Sequence, residues 1–501
     1  MQRKKLTLVI VSLLVVVLSV SLAYFTTQII GKGKDVSVSS VNLQIIFNDT
    51  GGEISASEIE PGWSMSKEFT IKNSSNGTYK YDIVIKDLIN TFSLNYLKYK
   101  ITSTTGYNMT DYADVPKSAT AVDTVLASGI SIDKGVTQTY TIEFTYLNDE
   151  SVDQSADMAK KLSGTVYITK SAPTLYTKLL EDNPTIGTRD TFNTVFTDNT
   201  TGTLFTATER NVHNTTGTTV YYYAGNTTNN WIKFGDFYWR IIRTNADGGV
   251  RLLYHGTSPD SSEAFIGSSS FNLIYTETMY VGYMYGTTGT LVSNRTNTNS
   301  SEMKKYLENW YANNLTTYNN YLSTTAVYCN DRNIASGYSY DLTTTFYYAP
   351  YYRANISNEP TYDCTEKADA FSVDNASAKL TYPIGLMTSD EITYAGGKIN
   401  SNLSKPYAWY YLNSVGSSST GSTDWRLMSP YHSEYISSSR VNIARVFYVH
   451  GNLVPGNFTG ATVDNPYAVR PVVSLKSCVK YSSGDGSASD PYTIKETTSG
   501  C

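Results

Sequence analysis

The side chains able to do acid–base, nucleophilic or metal chemistry are few, and their spacing does not suit that work. The four histidines are His213, His255, His432 and His450. No two stand at the His-x-x-x-His spacing that places both imidazoles on one helical face, and no His-Glu-x-x-His occurs, which argues against a zinc peptidase. A Gly-x-Ser-x-Gly nucleophile turn and a Walker phosphate loop are both absent. Gly484-Asp485-Gly486 offers one carboxylate among glycines, the composition of a turn rather than of a calcium loop. No catalytic centre, cofactor or metal is expected, and the chain reads as a non-enzyme.

Binding chemistry has better candidates. Trp425-Arg426-Leu427-Met428-Ser429-Pro430 mixes large apolar side chains with a Ser-Pro stop, as a buried strand ending at a loop would. His432 follows it closely and is either a site residue or an ordinary loop histidine. Arg470 and Trp425 are expected to hold two terminal strands together; the alternative is that Arg470 meets an anionic ligand. The run Tyr347-Tyr348-Ala349-Pro350-Tyr351-Tyr352 suits a sugar- or peptide-binding face, because tyrosine offers contact area at low entropy cost, or serves as strand filler. Asn-x-Ser/Thr sequons are many, as so Asn- and Thr-rich a chain produces by chance.

Cys329, Cys364, Cys478 and Cys501 contain no Cys-x-x-Cys pair, so neither zinc nor thioredoxin-like chemistry is supported. An even number outside the cytoplasm suggests two disulfides. Cys329–Cys364 and Cys478–Cys501 enclose two local loops and are the expected pairing, each worth ~3–4 kcal/mol on the chain-entropy model. Four buried thiols are the alternative.

Export is read from the N-terminus. Arg3, Lys4 and Lys5 precede an apolar run from Leu6 to Phe25. As a helix rising ~1.5 Å per residue it spans ~30 Å, the thickness of a bilayer's hydrocarbon core. Backbone groups in lipid must bond internally, and the basic cluster keeps the N-terminus cytoplasmic. Residues 6–25 are therefore expected in membrane lipid, unless the segment is a signal peptide cleaved after Ala23. No second apolar span follows and no hydrophobic tail closes the sequence, so one crossing with the mass extracellular is expected. A net charge of −5 and 17 % charged residues present no basic surface for nucleic acid. The 43 tyrosines, with abundant Ser, Thr, Asn and Gly, suit β-rich extracellular folds.

The elements follow from periodicity. Val41, Leu43, Ile45 and Phe47 alternate at period two, as do Tyr79, Tyr81, Ile83 and Ile85, and again Tyr140, Ile142, Phe144 and Tyr146. Residues 36–170 thus read as an all-β sandwich, jelly-roll or Ig-like, with 149–161 a loop or short helix. Residues 1–35 are the cytoplasmic tip and helix, 171–230 a linker and lead-in with a short helix near 175–182, and 231–501 an α+β domain. In that domain Phe237, Trp239 and Ile241 alternate, Asn245–Gly249 turns, and Val250–Tyr254 returns as a partner strand. A helix is expected from Asn299, with Glu302 as the capping residue and Met303, Tyr306, Leu307, Trp310 and Tyr311 on one face. A second starts at Thr388 with Glu391 and stops at Gly396-Gly397.

Ile59-Glu60-Pro61-Gly62 followed by Lys67-Glu68-Phe69-Thr70-Ile71-Lys72-Asn73 resembles the camelysin and TasA family of Gram-positive surface proteins, and Ala23-Tyr24-Phe25-Thr26 is similar to that family's export signal. Trp63 stands where the family has Asp. The resemblance, over about residues 1–170, implies a jelly-roll domain and, for some members, assembly into extracellular fibres. Camelysins have also been described as metalloproteases, but this region has no histidine and no metal site carries over. Further on, Tyr238-Trp239-Arg240-Ile241-Ile242-Arg243, Tyr382-Pro383-Ile384-Gly385-Leu386-Met387-Thr388, Asp424–Pro430 and Ala468-Val469-Arg470-Pro471-Val472-Val473-Ser474-Leu475 closely resemble an uncharacterised Firmicutes surface-protein domain family. The order of these motifs is similar to C-type-lectin-like and formylglycine-generating-enzyme-like folds, without the metal-holding cysteines of the latter. The expected function is a lectin-like or otherwise adhesive module for an extracellular glycan or protein ligand, displayed on a β-sandwich; the alternative is a structural subunit of an extracellular fibre.

Overall fold

A computed structural model describes residues 59–74, 77–157, 160–199, 202–497 and 501, with the backbone strands 35–40, 43–49 and 54–56. The chain is mostly β-sheet with few helices and divides into two units, Met1–Ala172 and Pro173–Cys501. The expected membrane span at 6–25 and the junction at Ala23 lie outside the described residues. Among the described residues no helix is long and apolar enough to cross a membrane.

Among the described residues the first unit has ten strands: β1 (Asp35–Ser40), β2 (Leu43–Asp49), β3 (Ile54–Ala56), β4 (Ser64–Asn73), β5 (Tyr79–Asn90), β6 (Leu97–Ser103), β7 (Ala113–Asp114), β8 (Ser118–Ile132), β9 (Thr137–Tyr146) and β10 (Leu162–Lys170). They form two antiparallel sheets, β1-β2-β4-β9-β6-β7 and β3-β10-β5-β8. Period-two alternation sends Phe69 and Ile71 of β4, Leu97 and Ile101 of β6, and Tyr140, Ile142 and Phe144 of β9 into one core. Tyr81, Ile83, Val166 and Ile168 of the other sheet complete it. Tyr81 Oη and Tyr140 Oη meet at 2.7 Å between the sheets. Strand β5 departs from one-faced alternation, with Tyr81 to Ile85 all buried. Bulges against β8 break the alternation there, and Asp82 accepts the Gly129 N–H at 2.7 Å.

Within 149–161 the chain makes one 3-10 turn, Ser155–Asp157. The buried Asp157 carboxylate accepts from Ser93 N and Oγ, each at 2.6 Å, from Leu94 N, and from Tyr146 Oη at 3.0 Å. Burial works to raise its pKa, but these hydrogen bonds outweigh burial and hold the carboxyl below its usual range.

The second unit starts earlier than expected. Within residues 171–230 the short helix falls at Leu175–Asp182 as expected, capped by Thr174, and beyond it Thr203–Asn211 and Asn214–Tyr222 pair as a hairpin where a linker was expected. That hairpin joins the sheet of Phe237–Thr244 through Tyr222 and Arg243. Threonine-rich segments of this kind carry little hydrophobic periodicity, yet β-branched threonine fits a pleated surface. Trp231–Phe234 and Phe237–Thr244 form a hairpin around Gly235 (φ 60°) and Asp236 (φ 66°), both left-handed as a type I′ turn requires. Val250–Gly256 adds to Phe237–Thr244 as expected and pairs on with Val472–Leu475. A further sheet runs Ser268–Ser269, Tyr467–Ala468, Trp425–Ile436, Val441–Val449, Phe458–Thr462.

The helix Glu302–Asn314 buries Met303, Leu307 and Tyr311, but its cap is Ser301, which accepts from Lys304 N, and Glu302 is its first residue. The helix Ser389–Ala395 has the expected capping box of Thr388 and Glu391 and ends on left-handed Gly396. Cys329–Cys364 and Cys478–Cys501 are disulfide-bonded.

Asp157→Ala is expected to cost about 1–3 kcal/mol at neutral pH, the price of orphaned buried donors. Because the folded pKa is depressed, the carboxylate's contribution is present above the unfolded value near ~3.9 and is lost as pH falls through the folded value. Urea denaturation of wild type and variant, at pH 7 and in acid, checks this: an undiminished deficit in acid refutes it.

Candidate functional site

The strand Trp425–Ile436 does not stop at Ser429-Pro430. It runs on through Pro430, and its ladder to Val441–Val449 shifts register on either side of that residue. Proline has no N–H to give a ladder, so the chain accommodates it with a bulge. Trp425 is buried, with the Arg470 guanidinium stacked 4.8 Å from its ring centroid. Arg470 is itself fully buried and donates to the carbonyls of Tyr254 and Tyr410. Arg426 is fully buried against Tyr467 and donates to the carbonyls of Thr462, Asn465 and Val446. Ser429 Oγ accepts the Ser389 N–H at 3.0 Å, adding a second cap to the helix Ser389–Ala395. All four side chains face the interior.

His432 differs. Its ring packs 5.1 Å from Tyr347 and 4.7 Å from Tyr431, and neither nitrogen has a hydrogen-bond partner. Burial, with Arg445 nearby, pushes its pKa down to about 4, so the imidazole is neutral. Tyr347 stacks on Tyr351 at 4.1 Å, and Tyr338 and Tyr431 flank the pair. Part of the expected tyrosine face is therefore at the surface, while Tyr348 and Pro350 of the same run are buried.

The arrangement best suited to holding a ligand lies elsewhere. A cleft of about 640 Å³ is walled by 226–228, 258–260, 412–416 and 487–489, a volume within the range of small-ligand sites, ~300–1,000 Å³. Its floor is Arg240, from the central strand Phe237–Thr244. The guanidinium lies 4.1 Å from the ring centroid of Trp231 and 5.6 Å from that of Trp409. Nε donates to Asn230 Oδ1 at 2.8 Å, Nη2 to the same oxygen at 2.5 Å and to Thr227 O at 3.3 Å, and Nη1 to Leu412 O at 3.1 Å. The walls are built by the chain's own polar groups. Asn413 accepts from Val415 N and Ser417 N and donates to Asp260 O, closing one loop onto another. Trp409 donates from Nε1 to Tyr223 O and from its backbone to Gly225 O, and Gly225 N bonds Ala395 O, which ties the cleft wall to the helix Ser389–Ala395. Behind Trp231, His255 donates from Nε2 to Pro259 O, while its Nδ1 is buried without a partner.

Other buried guanidiniums of this unit, Arg426 and Arg470 apart, meet a carboxylate. Arg243 pairs with Glu209 and Glu391, Arg251 with Glu391, Arg332 with Asp369, and Arg353 with Asp390 and Asp331. A cavity among these groups, beside Cys329 and Cys364, measures only about 20 Å³, room for about one water. Among the described residues no three His, Cys, Asp or Glu side chains converge to hold a metal. In the sequence Arg240 stands in a motif with nothing to place it in a cleft, and Trp409, Asn413 and Asp260 stand in no motif. The only local signal was a set of Asn/Ser/Gly loops around tryptophans, in a chain where such loops are everywhere.

No family model and no curated protein matches this chain. Among solved structures, one described as "AvmM Catalyzes Macrocyclization in Alchivemycin A Biosynthesis" is similar over 28 % of this chain and 98 % of its own, at 8 % identity and a TM-score of 0.15. So low a score carries no argument about fold or function.

Trp425→Ala is expected to cost ~3–5 kcal/mol through the loss of a buried aromatic, and Arg426→Ala ~1–3 kcal/mol through unpaired carbonyls. Both are read as shifts in denaturation midpoint. An unchanged midpoint with lost ligand binding would instead make this strand a binding site.

Proposed function

We propose that the chain is an exported cell-envelope protein whose second unit is a non-catalytic adhesion module that takes a glycan in the cleft over Arg240. In this reading residues 6–25 anchor the protein in the membrane, or are removed after Ala23, and the folded mass is extracellular. The first unit is a jelly-roll or Ig-like stalk related to camelysin and TasA, and the second unit is C-type-lectin-like.

The observation that carries the reading is the cleft itself. It is concave and of ligand size, and hydroxyl and amide groups from four loops line it. Such groups match sugar hydroxyls, and their anchoring to buried strands keeps the site preformed. The two disulfides support export, since bridges persist in oxidising compartments. The tyrosine face around Tyr347 and Tyr351 gives the same unit a second contact surface.

Ala488 lines the cleft from a half-exposed loop position, so Ala488→Trp fills the site without touching the core. The purified chain is expected to retain glycans on an array or on peptidoglycan, and Ala488→Trp to abolish retention at unchanged Tm. Fibre formation with no ligand retained would favour the structural-subunit reading instead. Protease added to intact cells is expected to degrade both units; protection until the membrane is broken would overturn the topology.

A further inference from the structure

The floor of the cleft has an electrostatic feature that a neutral sugar does not explain. Arg240 and Arg470 are both fully buried and close enough to repel each other. Neither forms an ion pair among the described residues, unlike Arg243, Arg251, Arg332 and Arg353; Arg426 shares that lack but does not line the cleft. The partners of Arg240 and Arg470 are neutral: amide and peptide oxygens, and indole rings. The neighbouring His255 offers no counter-charge, since an imidazole is neutral or cationic, and burial and both guanidiniums keep it neutral. Two like charges buried without a counter-ion are costly, and an anion arriving from solvent relieves that cost.

Arg240 is also the one of the two that reaches the cleft. Its Nη1 gives one N–H to Leu412 O, which leaves the other for the cleft. We propose that this site selects a carboxylate-bearing sugar, with Arg240 Nη1 donating to the carboxylate while Asn226, Ser258, Ser414 and Ser487 meet the hydroxyls. The proposal rests on the reading of the cleft as a glycan site and adds the charge of the ligand. A monoanion fits better than a phosphate dianion. Only one guanidinium N–H is open, and the exposed Asp260 on the rim repels higher negative charge. Arg470, held between Trp425 and the carbonyls of Tyr254 and Tyr410, contributes field rather than contact.

The probe is methyl α-galacturonoside, which carries one carboxylate, paired with its methyl ester, which lacks the charge and adds one methyl group. Titrated into the full chain by calorimetry, the acid is expected to bind on the order of tenfold or more tightly than the ester, as for a charge-assisted hydrogen bond. That advantage is expected to shrink as salt rises and to vanish in Arg240→Met. Arg240→Lys, which keeps the charge but loses the fork, is expected to recover part of it. Should Arg240→Met fail to fold, the wild-type salt dependence and Ala488→Trp still decide the matter. Equal affinity for acid and ester, both blocked by Ala488→Trp, overturns the anion preference and leaves the glycan reading standing. Binding of neither, or of an acidic peptide in their place, overturns both.

Discussion

The second unit depends on the carboxylate of Glu391. One oxygen accepts the Thr388 N–H at 2.9 Å and closes the capping box of the helix Ser389–Ala395; the other lies 2.6 Å from Arg251 Nε and 3.4 Å from Arg243 Nε. Arg243 and Arg251 sit on the paired strands Phe237–Thr244 and Val250–Gly256, so one buried charge fixes a helix against the centre of a sheet. Arg243 passes the network on to Glu209, which accepts the Ala246 N–H and thereby holds the hairpin turn. Removing one partner from such a cluster leaves an uncompensated buried charge, which costs about 3–5 kcal/mol.

That helix in turn places the cleft. Ala395 O receives Gly225 N, and Gly225 O receives the backbone of Trp409. The loop after Trp409 then folds around Asn413 and meets 258–260. Ser429 caps the same helix from the Trp425 strand. The Trp425 strand therefore helps to orient the wall of the cleft, and its large side chains are spent on packing.

Buried guanidiniums make the distinction between scaffold and site. Arg426 and Arg470 satisfy peptide carbonyls and lie on aromatic rings, a role for which arginine's planar, five-donor fork is suited and lysine's ammonium is not. Arg240 uses the same chemistry, equally buried, but lines the floor of the cleft. The difference lies in which loops cover the guanidinium, and no local residue pattern encodes it.

Sequence alone determined whatever depends on near neighbours. The hairpin turn of Asn245–Gly249 and the capping box of Thr388 and Glu391 are set within a few residues by turn and cap chemistry, and the strands of the first unit by period-two patterning. Pairing the nearest cysteines likewise needed only short loops. Threonine-rich strands such as Asn214–Tyr222 were hidden because their pairing, not their hydrophobic pattern, makes them strands. The continuation of the Trp425 strand through Pro430 was hidden because a bulge, invisible in sequence, absorbs the missing donor. Tertiary structure alone decided which buried arginine lines a cleft. Asn226, Arg240, Asp260, Asn413 and Ser487 are far apart in the chain, and only the sheet and its loops bring them to one cleft.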